Sequence, residues 1–159
     1  MNTFSTRTLL KTVTAVGALL VIFTIQNFGQ RATSQDGLMD SGYMTSGDIS
    51  DDFAGTDDEY FYKFMANPGQ LTITFEVAGT KTNAGAKLNL IGAGSKPILS
   101  NMTAEAVKGG SEQAFTTVTI TKKQDVIIRI KGISYGNDAG NPGTYKIVIE
   151  GSAANFMGG

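Results

Sequence analysis

Six acidic residues, Asp48, Asp51, Asp52, Asp57, Asp58 and Glu59, fall within twelve positions, and no Lys or Arg lies between Ala32 and Tyr62. A hard cation such as Ca²⁺ takes about 6–8 oxygen ligands from carboxylates and carbonyls. A stretch this rich in acids can supply several of them, with Asp51, Asp52, Asp57 and Asp58 the best candidates for Ca²⁺. The spacing does not follow the EF-hand loop. The alternative is a solvated acidic turn that helps solubility. Paired carboxylates also carry out glycoside hydrolysis, but that requires two acids across a cleft, one with a raised pKa. Nothing in the sequence points to burial of either member of such a pair.

Most other chemistry is excluded by what the chain lacks. It has no His, no Cys and no Trp among its 159 residues. That removes Ser–His–Asp triads, a histidine general base, thiol nucleophiles and thiolate or imidazole metal sites. It also removes disulfides, so the fold must rest on its core alone. Gly92-Ala93-Gly94-Ser95-Lys96 lacks the spacing and the following helix of a phosphate loop, and reads as a hairpin turn. Asn101-Met102-Thr103 is a glycosylation sequon, and residues 137–141 read as a polar surface loop. The chain is therefore expected not to be an enzyme. Binding is the remaining chemistry, and exposed aromatics dominate binding hot spots. Phe61, Tyr135 and Phe156 are the candidates, for a protein or polysaccharide ligand.

The elements that position these residues are strands. Leu71, Ile73, Phe75 and Val77 alternate with Thr72, Thr74 and Glu76. Alternation of this kind is the period-2 signature of a half-buried strand. It recurs over residues 59–66, 70–78, 86–91, 96–101, 114–121, 125–131 and 144–150, with a further short strand near 43–49. Residues 103–107 offer one helical turn at most. Seven or eight short strands joined by Gly, Asn, Asp and Pro predict an all-β antiparallel sandwich. On the first strand Tyr60, Tyr62 and Phe64 are assigned to the core, because the other face carries Lys63. That leaves Phe61 partly exposed.

The first thirty-odd residues differ in kind. Arg7 and Lys11 precede a fourteen-residue uncharged run, Thr12 to Ile25, and the first acid is Asp36. A run of that length suits the apolar region of a secretion signal and falls short of the ~20 residues of a membrane-spanning helix. Small residues at Ala32 and Ser34 allow a cut before Gln35. An uncleaved anchor is the alternative; a lipoprotein is excluded, having no Cys to acylate. The reading is a signal over 1–34, a polar leader over 35–47, the sandwich over 48–151 and a flexible tail over 152–159. Without Arg7, Lys11 and Arg31, ten basic residues face fourteen acidic ones, a net of −4. That balance argues against nucleic acid as a partner.

Two segments carry a family resemblance. Asp57-Asp58-Glu59-Tyr60-Phe61-Tyr62-Lys63-Phe64 is followed by Asn67-Pro68-Gly69-Gln70-Leu71-Thr72-Ile73-Thr74, and the last strand opens Gly143-Thr144-Tyr145. Pro68-Gly69 suits the centre of a type II turn, which needs positive φ at its third residue. This order resembles the bacterial pre-peptidase C-terminal domain family, and is similar to the collagen-binding modules of secreted collagenases. The resemblance covers about residues 48–151. It implies a jelly-roll-like sandwich in an exported bacterial protein, without catalytic residues, and calcium near its N-terminal edge. The domain is expected to stand directly behind its signal, without the peptidase such domains usually accompany. The function expected is an exported binding or adhesion module, secreted, periplasmic or at the cell surface, with no stable membrane insertion once the signal is removed. The alternative is a structural subunit that self-associates through edge strands or its ends.

Overall fold

The computed structural model describes residues 31–35, 37, 42–136 and 142–156. Among the described residues nine strands follow one another: β1 (Asp48–Phe53), β2 (Glu59–Ala66), β3 (Gly69–Ala78), β4 (Ala84–Ile91), β5 (Pro97–Ala106), β6 (Ser111–Ile120), β7 (Gln124–Ile133), β8 (Gly143–Glu150) and β9 (Ala154–Asn155). They form two antiparallel sheets, in the orders β1-β8-β3-β6 and β5-β4-β7-β2-β9. The pairs β1·β8, β2·β7, β3·β6 and β4·β5 are those of one long hairpin whose tip lies between β4 and β5. Rolling that hairpin up brings β8 against β3 and β7 against β4. This is the jelly roll, and its wrapping explains why consecutive strands mostly lie in opposite sheets.

The alternation in each strand decides which side faces the partner sheet. On β3, Leu71, Ile73, Phe75 and Val77 are buried, with Thr72, Thr74 and Glu76 outward. On β7, Val126, Ile128 and Ile130 meet Leu88 and Leu90 of β4 in the same interior. Tyr60, Tyr62 and Phe64 enter the core as their pattern predicts. Gly69 has φ +146, a region a side chain rarely adopts, and lets Pro68-Gly69 turn β2 into β3. Gly143 is needed for closeness: a Cβ there would lie 2.7 Å from the Ala84 Cβ and 2.8 Å from the Ala78 carbonyl.

The strands run further than alternation alone suggests. β5 extends to Ala106 through the stretch allowed a helical turn, with Asn101 at φ 57 bending it midway. The expected strand near 43–49 is displaced to β1. A ninth strand comes from the tail expected to be flexible: Ala154–Asn155 pair with Met65–Ala66, and Ala153 is fully buried. Burial of Ala153 and the half-buried Phe156 provides the apolar gain that orders residues 152–156.

The segments flanking the sandwich also pack on it. Met44 is buried and donates its N–H to the Lys63 carbonyl at 2.8 Å. Tyr43 donates its hydroxyl to Asp125 at 3.0 Å, and the Lys63 ammonium stands 4.6 Å from its ring centre. Ala32 bridges to Phe61 through both main-chain bonds, 3.1 and 2.9 Å. The expected signal lies outside the described residues up to residue 30. Among the described residues no helix is long and apolar enough to cross a membrane.

Candidate functional site

The outer face of the β1-β8-β3-β6 sheet is built by register. The side chains left outside by the core alternation line up across the four strands. One row runs Asp48, Val148, Thr74, Phe115. The next runs Ser50, Lys146, Glu76, Gln113, and a third joins Glu150, Thr72 and Thr117. With strands about 4.8 Å apart, each four-residue row spans roughly 14 Å. Phe115 is 69% exposed in this ladder of Thr, Gln and acidic side chains. Val107, 59% exposed, is the other large apolar residue at the surface among those described.

The polar neighbours of Phe115 are held in place. Gln70 donates to the Thr119 hydroxyl at 3.2 Å, and the Thr72 and Thr117 hydroxyls lie 3.4 Å apart. Lys146 pairs with Asp48 at 3.5 Å. A shallow depression of about 160 Å³ opens beside them, lined by Ser50, Glu76, Thr144 and Lys146. Chemically the face offers one apolar ring surrounded by oriented donors and acceptors. That arrangement suits a ligand whose surface alternates apolar and hydroxylated patches.

The sequence-derived candidates fall elsewhere. Phe61, expected partly exposed, is 4% exposed. It lies on the outer side of its sheet, but Ala32 and Ile127 cover it, a contact between residues far apart in the chain. Phe156 packs against Phe64 with ring centres 5.6 Å apart, so its ring is occupied within this chain. Tyr135 is half-buried and lines a depression of about 460 Å³ between β5 and β6, with Thr103, Glu105, Glu112 and Gln113. Gln113 thus joins this depression to the Phe115 face. Phe115 was missed as an aromatic candidate, although the alternation of β6 already sets it opposite Val118 and Ile120.

The four candidate calcium ligands are divided: Asp51 and Asp52 share Arg31, while Asp57 and Asp58 each have other partners. Asp51 lies 2.8 Å and Asp52 3.4 Å from the Arg31 guanidinium, which also donates to the Asp52 carbonyl and sits 4.0 Å from the Tyr60 ring centre. Asp57 pairs with Lys131 at 2.9 Å. Asp58 accepts from the Ala54 amide at 3.0 Å and from the Tyr60 hydroxyl at 3.4 Å. Among the described residues no group of three or more acidic side chains is arranged to hold a metal ion. Nearby, Glu59 is held below the ordinary carboxylate range, chiefly by its hydrogen bonds from Arg129. Burial pushes the hydroxyls of Tyr62 and Tyr145 well above the ordinary phenol range.

No protein-family model and no curated protein matches the chain. Among solved structures it is similar to Arthrobacter globiformis T6 isomalto-dextranase complexed with panose, at 12% identity and a TM-score of 0.40. The match covers 69% of this chain and 24% of that one. The chain spans about a quarter of that protein's length, and a likeness at this score says nothing of its activity.

Proposed function

We propose that this protein is an exported, non-catalytic jelly-roll module that binds a polysaccharide through the outer face of its four-stranded sheet. The observation that carries the reading is Phe115, 69% exposed, with Thr74 opposite it on β3 and Gln113 and Thr117 two positions away on its own strand. A sugar ring presents an apolar face to an aromatic ring and hydroxyls to its surroundings, and this face offers both. A protein ligand is less suited, because protein interfaces bury about 800 Å² a side around an apolar core. Here a single ring stands in a polar ladder. The absence of His and Cys from the sequence supports a binding role over catalysis. Export rests on the charged N-terminus and the short apolar run behind it.

Affinity electrophoresis of the full chain against a panel of soluble polysaccharides tests this. The expected result is retardation by at least one polymer, lost in Phe115→Ala and weakened in Thr74→Ala, with unchanged melting midpoints. Migration unaffected by every polymer, or retardation that Phe115→Ala leaves intact, would overturn the assignment.

A further inference from the structure

Two open sheets have four edges, and an edge strand exposes unpaired N–H and C=O groups that template pairing with another chain. Three of the four are guarded here. The β1 edge is six residues long and carries Asp48, Asp51 and Asp52, with Arg31 laid over the last two. The β5 edge opens on Pro97, slips register against β4 on either side of Leu90, and bends at Asn101. The edge beyond β2 is closed by β9 and by main-chain bonds from Ala32 and Met44. Short length, charge, proline, bulges and local cover are the known protections.

Among the described residues the β6 edge has no proline, no bulge and no strand paired beyond it. It runs ten residues, Ser111–Ile120, paired to β3 from Ala78↔Ser111 to Gly69↔Ile120 with no shift in register. It contains no proline and no residue of positive φ, and Glu112 is its single charge. Thr116, Thr117, Val118, Thr119 and Ile120 make it rich in β-branched residues, which suits continued pairing.

We propose that the β6 edge pairs antiparallel with β6 of a second copy of this chain, joining two four-stranded sheets into one of eight strands. The occupant follows from charge and symmetry. A two-fold contact sets each residue against its reciprocal partner. Glu112 sits at one end, so any register overlapping most of the strand places it against an uncharged residue, and no like charges meet. In the register centred on Thr116, that residue faces its own copy, Phe115 faces Thr117, Gln113 faces Thr119 and Ala114 faces Val118, and the aromatic–β-branched and Thr–Thr pairs among these stabilise cross-strand contacts. The joint also brings two Phe115 rings onto one continuous outer face. That last consequence rests on the polysaccharide reading; the pairing itself does not.

The chain has no cysteine, so a single introduced Cys reports one contact without background. Full-length variants with one Cys at each position from 113 to 118 are oxidised mildly in detergent solution, beside Ser50→Cys on the β1 edge. A disulfide needs Cβ atoms about 3.5–4.5 Å apart, so only positions facing their own copy across the axis can close. The expected result is a covalent dimer at one or two of the β6 positions and none at residue 50. Adjacent strand residues point their N–H groups to opposite sides. Of Thr116→Pro and Thr117→Pro, one therefore removes an outward N–H and spares the β3 ladder. That variant is expected to keep its melting midpoint while its dimer dissociates at least tenfold more readily. A parent chain that sediments as a monomer at every concentration, or crosslinking at residue 50 equal to that on β6, would overturn the proposal. Polysaccharide retardation that persists in a monomeric chain would leave the function standing and remove only the dimer.

Discussion

The hydroxyls of Tyr62 and Tyr145 meet at 2.6 Å between the two sheets, one carried by β2 and the other by β8. Both rings are buried, and the Asp51 carboxylate stands 3.4 Å from the Tyr62 hydroxyl. The pair is a polar tie inside an otherwise apolar core, and its worth depends on both members being present.

Removing both hydroxyls is therefore expected to cost less than the two single removals added together. Tyr62→Phe strands the Tyr145 hydroxyl in the core, a loss of about 1–3 kcal/mol. The Tyr62→Phe/Tyr145→Phe double variant replaces both polar groups by isosteric apolar ones, and its loss should be smaller than the two single losses together. Urea denaturation of the four proteins measures this; strict additivity would show that the two hydroxyls do not depend on each other.

The same pair is expected to shape the alkaline limb of stability. Both tyrosines have folded-state pKa values raised above the unfolded value, chiefly by burial. Their contribution is complete below the ordinary phenol pKa of about 10 and is lost as pH rises beyond it, because the unfolded chain releases those protons first. Glu59 has the opposite sign. Its pKa is lowered, chiefly by Arg129, so its contribution is present above about pH 4.3 and is lost as pH falls through the lower folded value. Melting midpoints against pH should fall at both ends, and Tyr145→Phe should change the alkaline limb while leaving the acid limb in place.

Two phenylalanines three positions apart on β2 are expected to differ. Phe64 lies in the main core, and Phe64→Ala should cost about 3–5 kcal/mol. Phe61 lies outside that core, in a small cluster with Ala32 and Ile127 among the described residues, so Phe61→Ala should cost clearly less. Equal losses would mean that the cover over Phe61 is as well packed as the core.

Phe115→Ala is expected to leave stability within about 0.5 kcal/mol of the parent, since the ring is exposed. A larger loss, read by chemical denaturation, would give the ring a structural role in place of a binding one.

Asp51 and Asp52 face Arg31, and Asp57 faces Lys131, so these carboxylates already have cationic partners. The melting midpoint is expected to be unmoved by millimolar Ca²⁺ in the parent chain. A rise of several degrees would reveal a cation site that these side chains rearrange to form.

Much of the architecture is legible in the residues themselves. A period of two fixes which side chains of a strand share a face, so the span of β2, the inward set of β3 and the position of Phe115 opposite Ile120 follow from local order alone. So does the turn at Pro68-Gly69, because its geometry demands a residue tolerant of positive φ. What local order cannot hold is the identity of distant neighbours. The cover of Ala32 over Phe61, the packing of Phe156 on Phe64, the meeting of Tyr62 with Tyr145 and the division of the acidic stretch between Arg31 and Lys131 join residues that only the rolled hairpin brings together. The sequence alone determined that strands form and which of their faces are apolar. Only the tertiary structure decided which edge stays open and which aromatic stays bare, because both depend on what packs alongside, and that is a property of pairing across the whole chain.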